Sequence, residues 1–489
     1  MMSSLLTLSA TEALAKLAAG EVSSVELTKA SLARMETRKH LNAYLTVNAE
    51  GALKAAESSD KRRAEGKAGR VEGLPLGIKD LYCTKGVRTT AASQILGNFV
   101  PAYESTVTQK LWDAGAINLG KLNMDEFAMG GSGENSSFGP AKNPWDESRV
   151  PGGSSSGSAA AVSDYQCFAA TGSDTGGSIR QPASLTGIVG VQPTYGRCSR
   201  WGMVAFASSL DQAGFLTRTV EDAALMMEVI SGHDEKDSTS APLPVPAWSA
   251  DVKSLSLKGL KVGLPKEYFM EGLNPAVKAT VMAAAKKLEA EGAIIEEVSL
   301  PHTEYAPATY YIVAPAEAAS NLARYDGMRY GLRVEGKNLM ETYINTRTAG
   351  FGPEVKRRIM IGNYALSSGY YDAYYTKAMQ VRTLISNDFK NAFAKVDILL
   401  TPTAPTPAFK IGEKSNDPVA MYLGDVFTIP TKLAGVPAIN VPAGTVEYEG
   451  ATLPVGVQFI APHWQEGKML QVAYAFEQLV QAGVPPLRG

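Results

Sequence analysis

Apolar and polar positions along the chain follow two spacings. In the first forty residues, Ser9-Ala10-Thr11-Glu12 and Ser23-Ser24-Val25-Glu26 are capping boxes: the serine hydroxyl accepts a first-turn N–H and the glutamate reaches back to the serine N–H. Good helix formers follow each, which predicts an N-terminal pair of helices. Asn274-Pro275 repeats the signal as an N-cap with proline at the first helical position. Val277, Val281, Ala284 and Leu288 then share a helical face until Gly292 stops it. Between Gly73 and about Val204 the spacing shortens. Apolar runs at Leu74–Ile78, Ala116–Leu119 and Phe168–Ala170 end in Gly- and Ser-rich turns and read as buried strands feeding loops. Ala293–Val298, Asp397–Leu400, Ala438–Val441 and Val455–Ile460 are strand-like in the same way. Strands and helices alternate over most of the length, which predicts an α/β fold. No stretch has the composition of a long linker. The Pro-rich piece Ala241–Trp248 is short and reads as a surface connection, so a single large domain is expected.

Composition narrows the function classes. The 489 residues are 45% hydrophobic and 20% charged, a globular balance. Lys+Arg (47) nearly equals Asp+Glu (49), leaving no excess positive charge to hold a polyanion. If RNA is involved, another chain is expected to grip it. Cys83, Cys167 and Cys198 form no C-x-x-C pair and suggest neither a disulfide framework nor a zinc site, and metal ligands are not expected. A reducing compartment fits them. No run approaches the roughly 20 apolar residues of a membrane span, and Met1–Ser9 lacks the charge and apolar pattern of a leader. The expectation is a soluble, cytoplasmic protein.

Candidate chemistry concentrates in two loops, Pro151-Gly152-Gly153-Ser154-Ser155-Ser156-Gly157-Ser158 and Gly172-Ser173-Asp174-Thr175-Gly176-Gly177-Ser178-Ile179-Arg180. Residues this small let backbone approach a ligand closely. Phosphate cradling lacks its defining residues, since neither G-x-x-x-x-G-K-[ST] nor a strand-linked G-x-G-x-x-G is present. Gly153–Gly157 matches G-x-S-x-G and nominates Ser155 as an elbow nucleophile. That template needs a downstream histidine, and the four histidines, His40, His233, His302 and His463, read as surface or packing residues. A serine nucleophile without histidine needs another base. Lysine is the attested substitute, with burial lowering its pKa. Lys79 is the candidate, because it ends the apolar run Leu74–Ile78 at what reads as the edge of a sheet.

The segments Gly73–Asp80, Pro151–Ser158 and Gly172–Pro182 resemble the amidase signature family in order and spacing. The resemblance implies a single domain over 1–489 with a central, twisted, mixed and largely parallel sheet flanked by helices on both faces. Within it, 1–65 would form a helical part, 66–245 a catalytic core, and 246–489 the rest of the sheet and the substrate pocket. The family's triad falls on Ser178 as nucleophile, Ser154 as a bridging serine after a cis peptide, and Lys79 as base, with 24 positions from Ser154 to Ser178. Thr175, Gly176 and Gly177 would supply oxyanion-hole amides and Ser155 a supporting hydrogen bond. Ser156 stands where the family commonly has glycine.

Longer matches, at Asn123–Gly130, Val204–Gln212, His233–Ser240 and Leu366–Tyr375, are similar to the branch of that family that generates ammonia inside bacterial tRNA-dependent amidotransferases. That resemblance implies a glutaminase working in a heterotrimer with a B and a C subunit. The B subunit would bind Glu-tRNA(Gln) and use ATP and Mg, and this chain would need no cofactor. Free glutamine carries an α-carboxylate and an α-ammonium, so its pocket needs a cation and an anion. By resemblance these are Arg358 and Asp425, with Tyr310 as a further contact and Gly424 in place of an expected Asn. A stand-alone amidase acting on small amides is the alternative enzyme. A scaffold without catalysis is the alternative outside enzymes, disfavoured because Lys79, Ser154 and Ser178 are all present. Tyr364–Tyr375 reads as aromatic packing rather than an RNA-stacking platform, since Lys and Arg are sparse in it.

Overall fold

The computed structural model describes residues 2–482 and residue 487. Eleven strands, β1 (Tyr44–Val47), β2 (Pro75–Lys79), β3 (Ile117–Leu122), β4 (Ala169–Asp174), β5 (Val189–Gln192), β6 (Gln212–Thr217), β7 (Lys261–Pro265), β8 (Ile294–Val298), β9 (Ile398–Pro402), β10 (Ala438–Tyr448) and β11 (Ala451–Ile460), form one sheet in the order β1-β3-β2-β4-β6-β5-β10-β11-β9-β7-β8. Every apolar run named above becomes a strand in this sheet. The mixed α/β architecture is as expected, but parallel pairing is narrower. It is confined to β3-β2-β4 and β9-β7-β8, and every other neighbouring pair is antiparallel. The reason is local in part. β10 and β11 are joined through Glu449 (φ 46°) and Gly450 (φ 78°), a turn whose twist suits a two-residue hairpin, and this antiparallel ribbon sits between the parallel blocks.

Alternation along the central strands separates two layers of core. Ala169 and Phe215 belong to the large cluster that includes Ala223, Ala224, Met226 and Met227 of the helix Val220–Ile230. Their neighbours Ala170 and Leu216 belong to a smaller cluster with Ala159–Val162 and Ala183, on the helices Ser156–Ser163 and Arg180–Thr186. Successive side chains of a strand face opposite ways, so helices cover both faces. Every residue of Ser156–Ser163 is buried. Its small side chains let it lie against the backbone beneath: a Cβ on Gly157 would fall 2.4 Å from the Ala43 carbonyl oxygen.

Both N-terminal capping boxes are formed, opening the helices Ala10–Ala19 and Ser24–Thr37. The Asp222 carboxylate accepts the Ala10 and Thr11 N–H groups at 3.0 and 2.8 Å, tying the first of these to Val220–Ile230. Asn274 caps Pro275–Ala290, which buries Val277, Val281, Ala284 and Leu288 as the pattern predicts. The Pro-rich segment marks no break: Arg197 donates to the Pro244 carbonyl at 3.1 Å and stacks over the buried Trp248 at 5.6 Å. No helix among the described residues is long and apolar enough to cross a membrane.

Candidate active site

β2 and β4 are parallel neighbours, so their C-terminal ends, Lys79 and Asp174, open on the same edge of the sheet. The Lys79 N–H donates to Thr171 Oγ1 at 2.9 Å, locking the two strands together. Lys79 is fully buried. Its Nζ lies 2.9 Å from Ser154 Oγ, 2.8 Å from Ser155 Oγ and 2.8 Å from Ser173 Oγ. Burial pushes the ammonium pKa down to about 7, against the opposing pull of Asp125, Asp174 and Asp211. At neutral pH a large fraction of this lysine is therefore a free amine able to take a proton. Ser154 follows a cis Gly153–Ser154 peptide bond. Ser155 receives Lys79 and sits 3.3 Å from the Ser173 carbonyl oxygen, while its N–H donates to the Ser178 carbonyl at 3.2 Å. That bond ties the two small-residue loops together. The Ser178 hydroxyl itself makes no side-chain hydrogen bond among the described residues.

The loop from β4 into the helix Arg180–Thr186 is held from behind by a buried polar network that sequence reasoning missed. Asp174 accepts the Ile179 N–H at 3.2 Å and both Nε and Nη2 of Arg180 at 3.0 Å. Although burial raises its pKa, Arg180 and Lys432 together hold the Asp174 carboxyl below its ordinary value. Arg180 continues to Thr431 Oγ1 at 2.7 Å and the Thr428 carbonyl at 3.1 Å, and Thr428 Oγ1 donates to the Gly176 carbonyl at 2.7 Å. With that carbonyl turned toward Thr428, the N–H groups of Thr175, Gly176 and Gly177 meet no protein acceptor among the described residues. Gly177 has φ +149°, and a Cβ there would fall 2.1 Å from Thr428 Oγ1, so only glycine fits. On the other side, Thr175 Oγ1 donates to the buried Asp211 at 2.8 Å.

Tyr310, Arg358 and Asp425 come together beside this loop from three helical segments, Ala306–Asn321, Pro353–Ala365 and Leu423–Asp425. Tyr310 packs on Gly176, where an added Cβ would fall 2.8 Å from its Oη. Tyr311 instead stacks on Tyr422 at 4.0 Å, and these two rings with Phe206 surround the Arg358 guanidinium at 5.3 to 5.5 Å. Arg358 Nε donates to Glu354 at 2.8 Å; its two Nη groups donate to no protein acceptor among the described residues. Tyr422 Oη donates to the same Glu354 oxygen at 2.8 Å. Asp425 is buried, its Oδ1 without a partner among the described residues, and burial, reinforced by Asp174, raises its pKa to about 8. A cavity of about 150 Å³ adjoins these groups, lined by Ser132, Asn135, Glu354, Arg358 and Tyr422. Larger cavities exist, and one of about 390 Å³ by Arg200 and Trp201 shares only Asp211 with the residues described here, so size does not mark the site.

Both departures from the expected pattern are accommodated. A Cβ on Gly424 would meet nothing within 4 Å, so the missing side chain leaves the pocket edge open. Ser156 fills space against Gly133, whose Cβ position lies 2.5 Å from the Ser156 Cβ, and its buried hydroxyl has no partner among the described residues. The histidines stand outside the site: His40 meets Glu147, His233 Ser240, His302 Asp388 and His463 the Ala434 carbonyl. Among the described residues no cluster of His, Cys, Asp or Glu could hold a metal ion.

A buried lysine hydrogen-bonded to Ser154 and Ser155, on a loop tied by a backbone bond to the Ser178 loop with its unpaired amides, suits a serine–serine–lysine amidohydrolase. Comparison with known proteins agrees: the family model described as Amidase matches residues 26–470, and the chain belongs to that family. It is 58% identical over 471 residues to the A subunit of the glutamyl-tRNA(Gln) amidotransferase of Parvibaculum lavamentivorans, covering 95% of each chain. To the protein of that name in Hyphomonas neptunium it is 57% identical over 492 residues, covering 100% of both. Among solved structures, the A subunit of the glutamyl-tRNA(Gln) amidotransferase of Thermotoga maritima superposes with a TM-score of 0.79 at 42% identity, covering 100% of this chain and 98% of that one. The peptide amidase of Stenotrophomonas maltophilia superposes at 0.85 with 30% identity and 99% coverage of both.

Proposed function

We propose that this chain is the glutaminase subunit of a glutamyl-tRNA(Gln) amidotransferase. It releases ammonia from glutamine for a B subunit, which uses ATP and Mg to amidate Glu-tRNA(Gln), in a cytoplasmic heterotrimer completed by a C subunit. Residues 66–245 carry the Ser/Ser/Lys loops and 246–489 the amino-acid pocket. The observation that carries the substrate is the pair of unsatisfied groups in that pocket. The free Nη atoms of Arg358 suit a bidentate α-carboxylate, and the unpartnered Asp425 Oδ1 suits an α-ammonium, whose charge would return Asp425 to its ionised form. A neutral amide would leave both groups buried without partners, at a cost, which disfavours the stand-alone amidase.

The arrangement supports a serine–lysine mechanism. Neutral Lys79 accepts the Ser154 proton as Ser154 accepts that of Ser178, and Ser178 Oγ bonds to the carboxamide carbon. The N–H groups of Thr175, Gly176 and Gly177 receive the oxyanion. As the C–N bond breaks, the proton returns from Lys79 through Ser154 to the leaving nitrogen, and ammonia departs. Water then attacks the ester by the same proton route, giving glutamate and restoring Ser178. The near-balanced net charge of −2 fits a subunit that leaves the tRNA to its partner.

The test mixes the chain with candidate B and C subunits, ATP and Glu-tRNA(Gln), and compares glutamine with ammonium chloride as donor. Wild type should use both and Ser178→Ala only ammonium. Conversion with ammonium but not glutamine by wild type would refute the glutaminase assignment.

A further inference from the structure

We propose that Glu126 is a positioning residue that fixes the helix carrying Arg358, so that the adjacent carboxylates Asp125 and Glu126 hold the nucleophile loops and the amino-acid pocket in one register. The inference rests on the glutamine reading above for the identity of the ligand. The segment Asn123–Gly130 enters the chemistry described only through the charge of Asp125 near Lys79, yet Glu126 is almost completely buried. Its Oε2 accepts the Gly352 N–H at 2.8 Å and its Oε1 takes the Ser93 hydroxyl. Gly352 is the N-cap of Pro353–Ala365 and has no side chain with which to cap it. The remote carboxylate stands at the positive end of that helix dipole in its place. Burial pushes the Glu126 carboxyl up to about 7, countered by the Ser93 and Gly352 bonds.

Two further ties reach the same place. Ser93 Oγ lies 3.1 Å from the Gly350 carbonyl oxygen, and the Phe127 ring packs on Phe351 at 5.7 Å and on Tyr325 at 5.1 Å. Glu354 and Arg358 follow within the first two turns of the clamped helix. The preceding residue faces the other half of the site. The Asp125 N–H donates to the Ser154 carbonyl at 3.1 Å, and its carboxylate accepts the Gly133 and Asn135 N–H groups at 3.0 Å. A shift of the Arg358 helix relative to this segment would misplace the carboxylate anchor while leaving Lys79, Ser154 and Ser178 where they are.

The experiment measures glutamine hydrolysis by the assembled complex for wild type, Glu126→Ala and Glu126→Gln, together with the rate at which a small fluorophosphonate labels Ser178. Losing a helix cap of this kind should raise KM for glutamine ~10-fold in Glu126→Ala while kcat and the labelling rate stay within ~3-fold. Glu126→Gln keeps an acceptor for Gly352 and should stay within ~3-fold of wild type in KM. An unchanged KM, a parallel fall in kcat and labelling, or a glutamine variant as impaired as the alanine one would each overturn the proposal. If Glu126→Ala does not fold, Ser93→Ala takes its place, with a KM rise of ~3-fold expected and an unchanged KM overturning it. If wild type turns over no glutamine, the functional reading fails instead. Hydrogen exchange of the 354–358 amides then decides this inference: faster exchange in Glu126→Ala supports it and equal exchange overturns it.

Discussion

The two halves of the site are built in opposite ways. The Lys79 amine is saturated, with three hydroxyls within 2.9 Å, and it extends from the buried C-terminal end of β2, an interior strand of the sheet. The pocket is assembled from three helical segments; among the described residues Oδ1 of Asp425 is buried without a partner, and Arg358 makes its one hydrogen bond through Nε. A base must have its pKa set before substrate arrives, which requires a fixed, desolvated and hydrogen-bonded environment. A recognition pocket gains selectivity when the ligand supplies the missing partners, because any molecule lacking them leaves charge buried and unpaired.

The largest test of that contrast removes the base. Lys79→Met should lower kcat for glutamine by ~10⁴-fold or more with KM little changed, measured as ammonia release; a large KM change would mean that the halves are not separate. The same lysine sets the pH profile. With its pKa lowered to about 7, protonation below that value removes the base, so kcat at saturating glutamine should fall about tenfold per pH unit on the acid side and level off above it. A profile flat from pH 5 to 8 would exclude Lys79 as the titrating base.

Next in size, Gly177→Ala places a Cβ against Thr428 and should cost ~10²–10³-fold in kcat by turning an amide away from the oxyanion. Arg358→Lys probes the other half. It loses the planar fork and should raise KM for glutamine ~10- to 100-fold with kcat nearly kept; a dominant kcat loss would show that the pocket also shapes the nucleophile. The smallest effect is expected at Ser156. Removing its unpartnered hydroxyl in Ser156→Ala should stabilise the chain by about 1 kcal/mol in denaturant unfolding, with activity within about twofold. A KM increase there would reveal coupling through Gly133.

The legible parts share a physical feature. Caps, strand runs and the glycine-rich loops are encoded by neighbours in sequence, so Ser9, Ser23, Asn274 and the strand ending at Lys79 could be read directly. The supports could not. Asp174, Arg180 and Thr428 stood in plain view as ordinary polar residues, and the Asp-x-x-x-x-x-Arg spacing ahead of a helix was the only signal that two of them pair. Glu354 carried no signal, because charged residues on helices are usually at the surface, and Tyr422 is one of 20 tyrosines with no local feature to mark it. The expected predominance of parallel strands failed for a related reason: strand direction depends on which strands become neighbours, and β6 enters between β4 and β5 from later in the chain.

By itself, then, the sequence determined the local elements and the family and nominated Lys79, Ser154 and Ser178, since caps, strand runs and loop motifs are written in neighbouring residues. Tertiary structure alone decided the protonation chemistry and the pocket. The pKa of Lys79 depends on its burial, and Arg358 and Asp425, far apart in sequence, come close enough for the charge of Arg358 to act on Asp425 only in the packed molecule. Burial and long-range pairing are properties of the packed molecule, and no single segment carries them.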